Sequence, residues 1–371
     1  YGILEKLKLD KSLIGKDIEN LNSLIDNMKN NKKINAKTLD EFQSFGERIS
    51  SKIVAAQLNK IGTKAKAFNS WDLGFLTDAE FGNAEPLEET FTNLKKDINK
   101  LNIVPVITGF IGKTKKGEIT TLGRGGSDYT AGIVGAAIEA SEIQIWTDVD
   151  GIMSADPKIV NNAKMLEKIS FAEASELAYF GAKVLHPKTI MPAIKKNIPV
   201  RVLNTFNPKK VGTLILKKGE ENAQIVKAIT SKKNIILIHV DSTRMFGAYG
   251  FLAKLFAVFD KYKKSVDVIS TSEVSVSMTI NDDKDLNGII KDLEGIADVK
   301  ISKGKSIICV VGEGMRNTVG VLGKVFSVIG NQGINVEMVS QGAFGINITF
   351  IVDDKYREKA IECLHNEYYG K

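Results

Sequence analysis

Residues 118–137 read EITTLGRGGSDYTAGIVGAA, and the fold turns on how this stretch is parsed. EITTL carries the β-branched content of a strand. TAGIVGAAIEA (130–140) has the small residues of a closely packed helix. Between them stand Gly123, Gly125 and Gly126. Glycine permits backbone conformations closed to other residues. It also lets amides approach an anion at a helix N-terminus, where the dipole favours negative charge. Arg124 can fork onto a carboxylate, and Ser127 and Asp128 are expected to cap the helix. Taken alone, Gly123 to Asp128 also fits a plain glycine turn with a structural cap, so the surrounding chain decides.

Upstream, LIGKDIENLNSLIDNMKN (13–30) repeats apolar residues at helical spacing. A second helix covers 38–62, with Thr38 as the expected N-cap, Glu41 completing a capping box and Gly62 as the stop. AKAFNS (65–70) reads as a short strand, IVPVITGFIG (103–112) as a buried strand and KTKKGEITTLG (113–123) as a hairpin. Downstream, EIQIWTDV (142–149) is a strand, residues 171–197 supply two helices, and IPVRVLN (198–204) and GTLIL (212–216) are further strands. Strands alternating with helices predict an α/β layer with a mostly parallel sheet. GFIGKT (109–114) ends like a P-loop, but two residues separate its glycines where a P-loop needs four. The protein-kinase triplets are missing too.

After residue 220 the pattern changes to an internal repeat. Gly250, Leu252, Lys254, Phe256, Val258, Val266 and Ser270 recur 70 residues on as Gly320, Leu322, Lys324, Phe326, Val328, Val336 and Ser340. Two copies of one supersecondary unit are implied, each a βαββαβ ferredoxin-like module. The first copy contains all six elements between IILIHV (235–240) and DVKIS (298–302). The second lacks its sixth strand, which is expected from QIVKAIT (224–230), nesting one module inside the other.

The net charge of +7, from 51 Lys plus Arg against 44 acids, is spread thinly and predicts a solvated surface without a nucleic-acid partner. Cys309 and Cys363 lie in apolar runs with neither metal-ligand nor disulfide spacing, as expected of core thiols in a reducing cytoplasm. No metal site built from side chains is expected. No apolar run reaches the ~18 residues needed to span a membrane, so no membrane partner is expected. His186, before Pro187, is expected to pack.

Three further runs, in order and spacing, carry a resemblance: FGERIS with Glu47, WTDVDGIMSADPK with Thr147, Asp148 and Lys158, and ELAYFGAKVLHP with Lys183. With GRGGSD, the repeat and SVDVISTSEVSVS (265–277), the chain resembles the aspartate kinases from about residue 40 to its end. The resemblance implies an amino-acid kinase fold, a mostly parallel sheet between helices, over 1–222. Two ACT domains would follow, the first at 235–302 and the second at 223–234 plus 303–371. It implies transfer of phosphate from ATP, with Mg2+, to L-aspartate, giving 4-phospho-L-aspartate and ADP on the way to lysine, threonine and methionine. Glu47, Phe110, Arg124, Gly125, Gly126 and Ser127 would bind aspartate. Thr147, Asp148, Met153, Lys158, Lys183 and Val184 would meet the nucleotide. Lys183 would lie on the phosphates and Asp128 would orient the lysines.

Lysine is the implied inhibitor. Its site in the first repeat would comprise Met245, Ala248, Gly250, Phe251, Leu252, Val266, Asp267, Ser272 and Glu273. Free helix amides would take its carboxylate, and Asp267 and Glu273 its ammonium. The second repeat has Ala343 in place of the acid and is expected to pair chains into a homodimer or dimer of dimers. The family's first strand ends in a Lys-x-Gly-Gly run with a catalytic lysine. Residues 1–45 hold none, so N-terminal residues are expected to be missing, and whether the fragment as written is active stays open at this point. A non-catalytic amino-acid sensor and another kinase of the same fold remain open readings at this point.

Overall fold

The computed structural model describes residues 1–30, 34–181, 187–219, 224–241, 249–342 and 345–370. The elements run α1 (Gly2–Leu7), α2 (Gly15–Asn30), α3 (Ala36–Lys60), β1 (Ala65–Phe68), β2 (Leu76–Thr77), α4 (Glu89–Ile98), β3 (Val104–Ile107), β4 (Ile111–Thr114), β5 (Ile119–Thr121), α5 (Gly126–Ala137) and β6 (Ile143–Thr147). After these come β7 (Lys168–Ser170), α6 (Phe171–Phe180), α7 (Pro187–Lys196), β8 (Val200–Asn204) and β9 (Thr213–Leu216). The repeats contribute β10 (Ala228–Asp241), α8 (Phe251–Lys261), β11 (Ile269–Thr271), β12 (Ser275–Ile280), α9 (Leu286–Glu294), β13 (Asp298–Val311), α10 (Val321–Asn331), β14 (Met338–Ser340), β15 (Asn347–Asp353) and α11 (Arg357–Tyr369). The chain divides into two compact units. The first comprises Tyr1–Thr147, Leu185–Leu203 and Leu214–Lys217, the second Asp148–Val184, Asn204–Thr213 and Lys218–Lys371.

In the first unit, β1 pairs β3 in parallel and β2 pairs β4 in parallel, while β4 and β5 form the expected hairpin around Gly117 at φ 84°. β6, β8 and β9 are neighbours in a third sheet. Leu73, Phe75, Leu94, Leu122 and Ile133 close a core between α4, α5 and the β2–β5 strands. Two expectations need correction. The N-cap of α3 is Asn35, whose Oδ1 accepts from the Thr38 amide at 2.8 Å, so Thr38 lies inside the first turn. The strand at 104–107 is only partly buried, with Val104 46% exposed, because its sheet has two strands and β1 covers one edge.

In the second unit, α10 buries Val321, Val325 and Ile329 at i, i+4 and i+8, an amphipathic stripe. Against it lie Phe350 of β15 and Ile361 and Leu364 of α11. α8 and α9 bury Leu255, Phe259, Ile289 and Leu293 against Ile238 and Met278 in the same way. Each such side chain contributes roughly 1.5–3 kcal/mol. Both repeats share one six-stranded sheet, ordered β11-β12-β10-β13-β15-β14. The strand expected from QIVKAIT begins at Ala228, which pairs with Val311. It does not stop there: β10 and β13 each run through both repeats, paired from Ala228–Val311 to Asp241–Asp298. Each bends where the modules meet, at Asn234 (φ 60°) and Gly304 (φ 71°), beside the register shifts of the pair. Among the described residues no helix is long and apolar enough to cross a membrane.

Candidate functional site

α5 begins at the glycine run, and its N-cap is Gly125 in a left-handed conformation, φ 70°. This corrects the expected capping role of Ser127 and Asp128. Both lie within the first turn, and no side chain caps the helix. The Gly126 amide donates to the Gly123 carbonyl at 3.1 Å, while the Ser127 and Asp128 amides keep their donors for an outside anion. Gly123 is also left-handed, at φ 75°. Gly126 is required for a different reason: a Cβ there would stand 2.6 Å from Phe110 Cδ2. Phe110 is itself left-handed at φ 65°, a conformation that strains a side-chain-bearing residue. The Phe110 amide donates to Thr130 Oγ1 at 3.0 Å and its carbonyl accepts from the Leu122 amide at 2.8 Å, which holds it there.

These residues line a cleft of about 500 Å³, with Gln43, Gly82, Phe110, Thr121 and the run Gly123–Asp128 on its walls. Across from Ser127 stands Glu47 of α3, with Ser127 Oγ 3.5 Å from Glu47 Oε1. Burial pushes the Glu47 carboxyl above its usual range, against the opposing pull of the Gly109 amide and Ser127. Burial also raises Asp128. Arg124 is exposed, and its guanidinium has no hydrogen bond or ion pair among the described residues. The cleft thus offers an unengaged guanidinium beside the open Ser127 and Asp128 amides, with the Glu47 carboxylate 3.5 Å from the lining Ser127 hydroxyl. That arrangement suits a molecule carrying both an anionic and a cationic group.

Two supports were not visible in the sequence. Asp40 of α3 is 1% exposed. Its Oδ2 accepts from the Gly82 and Thr121 amides, both at 2.8 Å, and its Oδ1 from Thr121 Oγ1 at 2.9 Å. Two turns later the same helix presents Glu47, so Asp40 fixes Glu47 relative to the strand that leads into GRGGSD. On the other flank, Lys188 Nζ lies 2.6 Å from Glu85 Oε1 and 5.0 Å from the centre of the Tyr129 ring. The Tyr129 hydroxyl donates to Glu85 Oε2 at 2.9 Å.

Glu47, Phe110 and Arg124 to Asp128 therefore come together within the first unit. Thr147 closes β6 there, whereas Asp148, Met153 and Lys158 belong to the second unit. Met153 bridges Met165, and the exposed Lys158 donates its amide to Asp156 Oδ1 at 2.9 Å. Lys183, Val184 and His186 lie outside the described residues, as do Met245 and Ala248.

In the first repeat, Gly250 is the uncapped, left-handed N-cap of α8 (φ 77°), followed by buried Phe251 and exposed Leu252. Val266 is half-buried beside Asp267, and Ser272 and Glu273 are exposed. The Asp267 side chain is only 2% exposed and already holds a cation: Lys232 Nζ is 3.2 Å from both its oxygens. The Tyr179 hydroxyl (3.1 Å) and Asn281 Nδ2 (3.2 Å) complete its partners. Cys309 is buried, which pushes its thiol up and leaves it unreactive, and Cys363 is half-buried.

Residues 5–204 match the Amino acid kinase family, and 308–368 match an ACT domain. Aspartokinase 2, chloroplastic, of Arabidopsis thaliana is 41% identical over 380 residues, covering 98% of this chain and 70% of that protein. The chain belongs to the aspartokinase family. The crystal structure of E. coli aspartokinase III in complex with aspartate and ADP, in its R-state, superposes with a TM-score of 0.82 at 33% identity, covering 96% of this chain and 81% of that one. The same enzyme with lysine and aspartate, in its T-state, gives 0.79 at 34% identity, with 96% and 80% covered. Membership settles the fold as an amino-acid kinase fold followed by ACT modules, and the activity class as that of a kinase using ATP.

Proposed function

We propose that the cleft between Glu47 and the α5 N-terminus binds L-aspartate and presents its side-chain carboxylate to the γ-phosphate of ATP. The observation that carries this reading is the uncapped start of α5, with the unengaged Arg124 on one wall and Glu47 on the other. Arg124 forks onto the substrate α-carboxylate, while ionised Glu47 and Ser127 take its ammonium. A carboxylate is already a nucleophile, so no general base is needed. Its oxygen bonds to the γ-phosphorus as the bond from phosphorus to the β,γ-bridging oxygen breaks, leaving ADP and 4-phospho-L-aspartate. Catalysis then rests on in-line positioning and charge neutralisation. Thr147, Asp148, Met153, Lys158, Lys183 and Val184 contact the nucleotide, and Asp128 orients lysine side chains toward the phosphates.

Among the described residues no cluster of three or more acids, histidines or cysteines could hold a metal ion. Mg2+ would be carried in on the nucleotide phosphates, the usual habit of that ion, where it would offset their charge. The catalytic domain spans 1–222. ACT domain 1 spans 235–302, and ACT domain 2 joins 223–234 to 303–371. Lysine is the feedback inhibitor, acting at Asp267 and the α8 N-terminus. The chains pair through the ACT modules as a homodimer or dimer of dimers, in the cytoplasm. The lysine-bound and aspartate-bound forms of the E. coli relative support lysine control.

ADP release is the test, measured on the full-length protein with ATP and a panel of amino acids. Aspartate-dependent release is expected, with KM for aspartate raised at least tenfold by Arg124→Ala. Release that does not depend on aspartate would overturn the reading.

A further inference from the structure

Ser154 and His365 are both fully buried, in the second unit. Ser154 follows Met153 in the turn that leads to Lys158, and His365 lies on α11, the last helix of the second repeat. Ser154 Oγ and His365 Nε2 are 2.9 Å apart. Ser154 is held from three more directions. Its carbonyl accepts from the Ile229 amide of β10, its amide donates to the Lys164 carbonyl, and its Oγ accepts from the Lys164 amide, each at 2.8 Å. The His365 ring stacks on Tyr369 with centroids 4.6 Å apart and planes at 8°. Neighbouring residues of the turn continue the attachment: Ala155 and Val160 sit in the core of the second repeat with Ile329 and Leu364.

The polar pair is a poor choice for stability alone. His365 Nδ1 has no hydrogen-bond partner. With the proton on Nδ1, that N–H is buried and unpaired. With it on Nε2, the Ser154 hydroxyl proton lacks an acceptor. Burial and the nearby Lys164 charge hold the imidazole below its usual pKa, so the neutral ring bears this cost. Two apolar side chains would avoid it. What the pair adds is direction, because a hydrogen bond fixes where Ser154 points and packing alone does not.

We propose that His365 is a positioning residue for the nucleotide. Through Ser154 it sets the turn carrying Met153 and Lys158, so the second repeat holds part of the nucleotide site in place. The inference rests on the reading that Met153 and Lys158 touch the nucleotide. It gives the second repeat a task in catalysis that needs no ligand of its own.

Steady-state kinetics of the full-length protein test it, with KM for ATP, KM for aspartate and kcat determined separately. His365→Ala is expected to raise KM for ATP about tenfold, the weight of one well-placed buried hydrogen bond, with KM for aspartate unchanged. His365→Gln places an amide near the Nε2 position and is expected to restore most of the loss. Ser154→Ala, a smaller change in volume, reproduces the defect if His365→Ala fails to fold. Equal rises in both KM values, no rise in that for ATP, or no rescue by Gln would overturn the proposal. Lys158→Ala separates the two layers. If it raises KM for ATP and His365→Ala does not, positioning alone fails. If Lys158→Ala leaves KM for ATP unchanged, the nucleotide reading beneath it fails.

Discussion

Replacing Asp40 should damage the first unit far more with alanine than with asparagine, and the structure sets both magnitudes. Asp40→Ala removes an acceptor from the Gly82 amide, the Thr121 amide and the Thr121 hydroxyl. Gly82 is exposed, so its N–H can turn to water; Thr121 is 1% exposed, so its two donors cannot. Each buried donor left unpaired costs about 1–3 kcal/mol, so the loss is about 4 kcal/mol. Asparagine behaves differently. Its carbonyl can replace Oδ2 and accept both amides, while its NH2 donates to Thr121 Oγ1 after the hydroxyl rotates. Charge assistance is lost and the buried Thr121 hydroxyl proton loses its acceptor, together about 2 kcal/mol. Urea unfolding followed by tryptophan fluorescence reports the effect, because Trp71 and Trp146, the two tryptophans of the chain, both belong to this unit. At about 2 kcal/mol per molar urea, the midpoint should fall by about 2 M for Asp40→Ala and about 1 M for Asp40→Asn. KM for aspartate should rise with the alanine variant, since α3 then places Glu47 less firmly. Equal midpoint shifts for the two variants, or an alanine variant within about 0.3 M of wild type, would refute the reasoning.

Four other outcomes follow. On the proposed reading Glu47 takes the substrate ammonium only when ionised, and burial raises its carboxyl above the usual value. Hence kcat/KM for aspartate should fall on the acid side with an apparent pKa above 4.5, and Glu47→Gln should lack that limb. The same upward shift means wild type should lose stability relative to Glu47→Gln as pH rises through that raised pKa, as thermal melts of both across pH will show. Gly126→Ala drives a methyl against Phe110, costing about 1–3 kcal/mol of overpacking and raising KM for aspartate while KM for ATP holds; a normal KM for aspartate would remove Phe110 from the pocket wall. Lys232 occupies the cation position at Asp267, so Lys232→Met should lower the lysine concentration for half-inhibition, and an unchanged value would place the effector ammonium elsewhere.

The features legible in the sequence are those written in local pattern. Gly123, Gly125 and Gly126 announced a tight entry to a helix because left-handed turns and close approach both demand glycine. The 70-residue offset exposed the repeat because core positions recur with the helix period. The misreadings come from choices that only three dimensions decide. Asn35 and Thr38 are both competent caps, and the one whose oxygen reaches an amide wins. Ser127 and Asp128 look like caps, but the left-handed Gly125 starts the helix before them. Asp40 and His365 are polar residues on helices, indistinguishable in one dimension from solvated ones. Their partners, Thr121 and Ser154, lie 81 and 211 residues away, beyond any spacing rule. QIVKAIT and IILIHV read as strands of two different modules, yet β10 runs through both and bends at Asn234.

Because β10 and β13 pass unbroken through both repeats, neither repeat is a separable piece. A cut near Asn234 or Gly304 would strip each half of strands it shares and leave open edges ready to pair with other chains. Amides in the paired stretches on either side of the bend should therefore be among the slowest in the chain to exchange with deuterium, and they should exchange together. Strain applied at α8 or at α10 bears on the same pair of strands, so the two repeats respond as one spring.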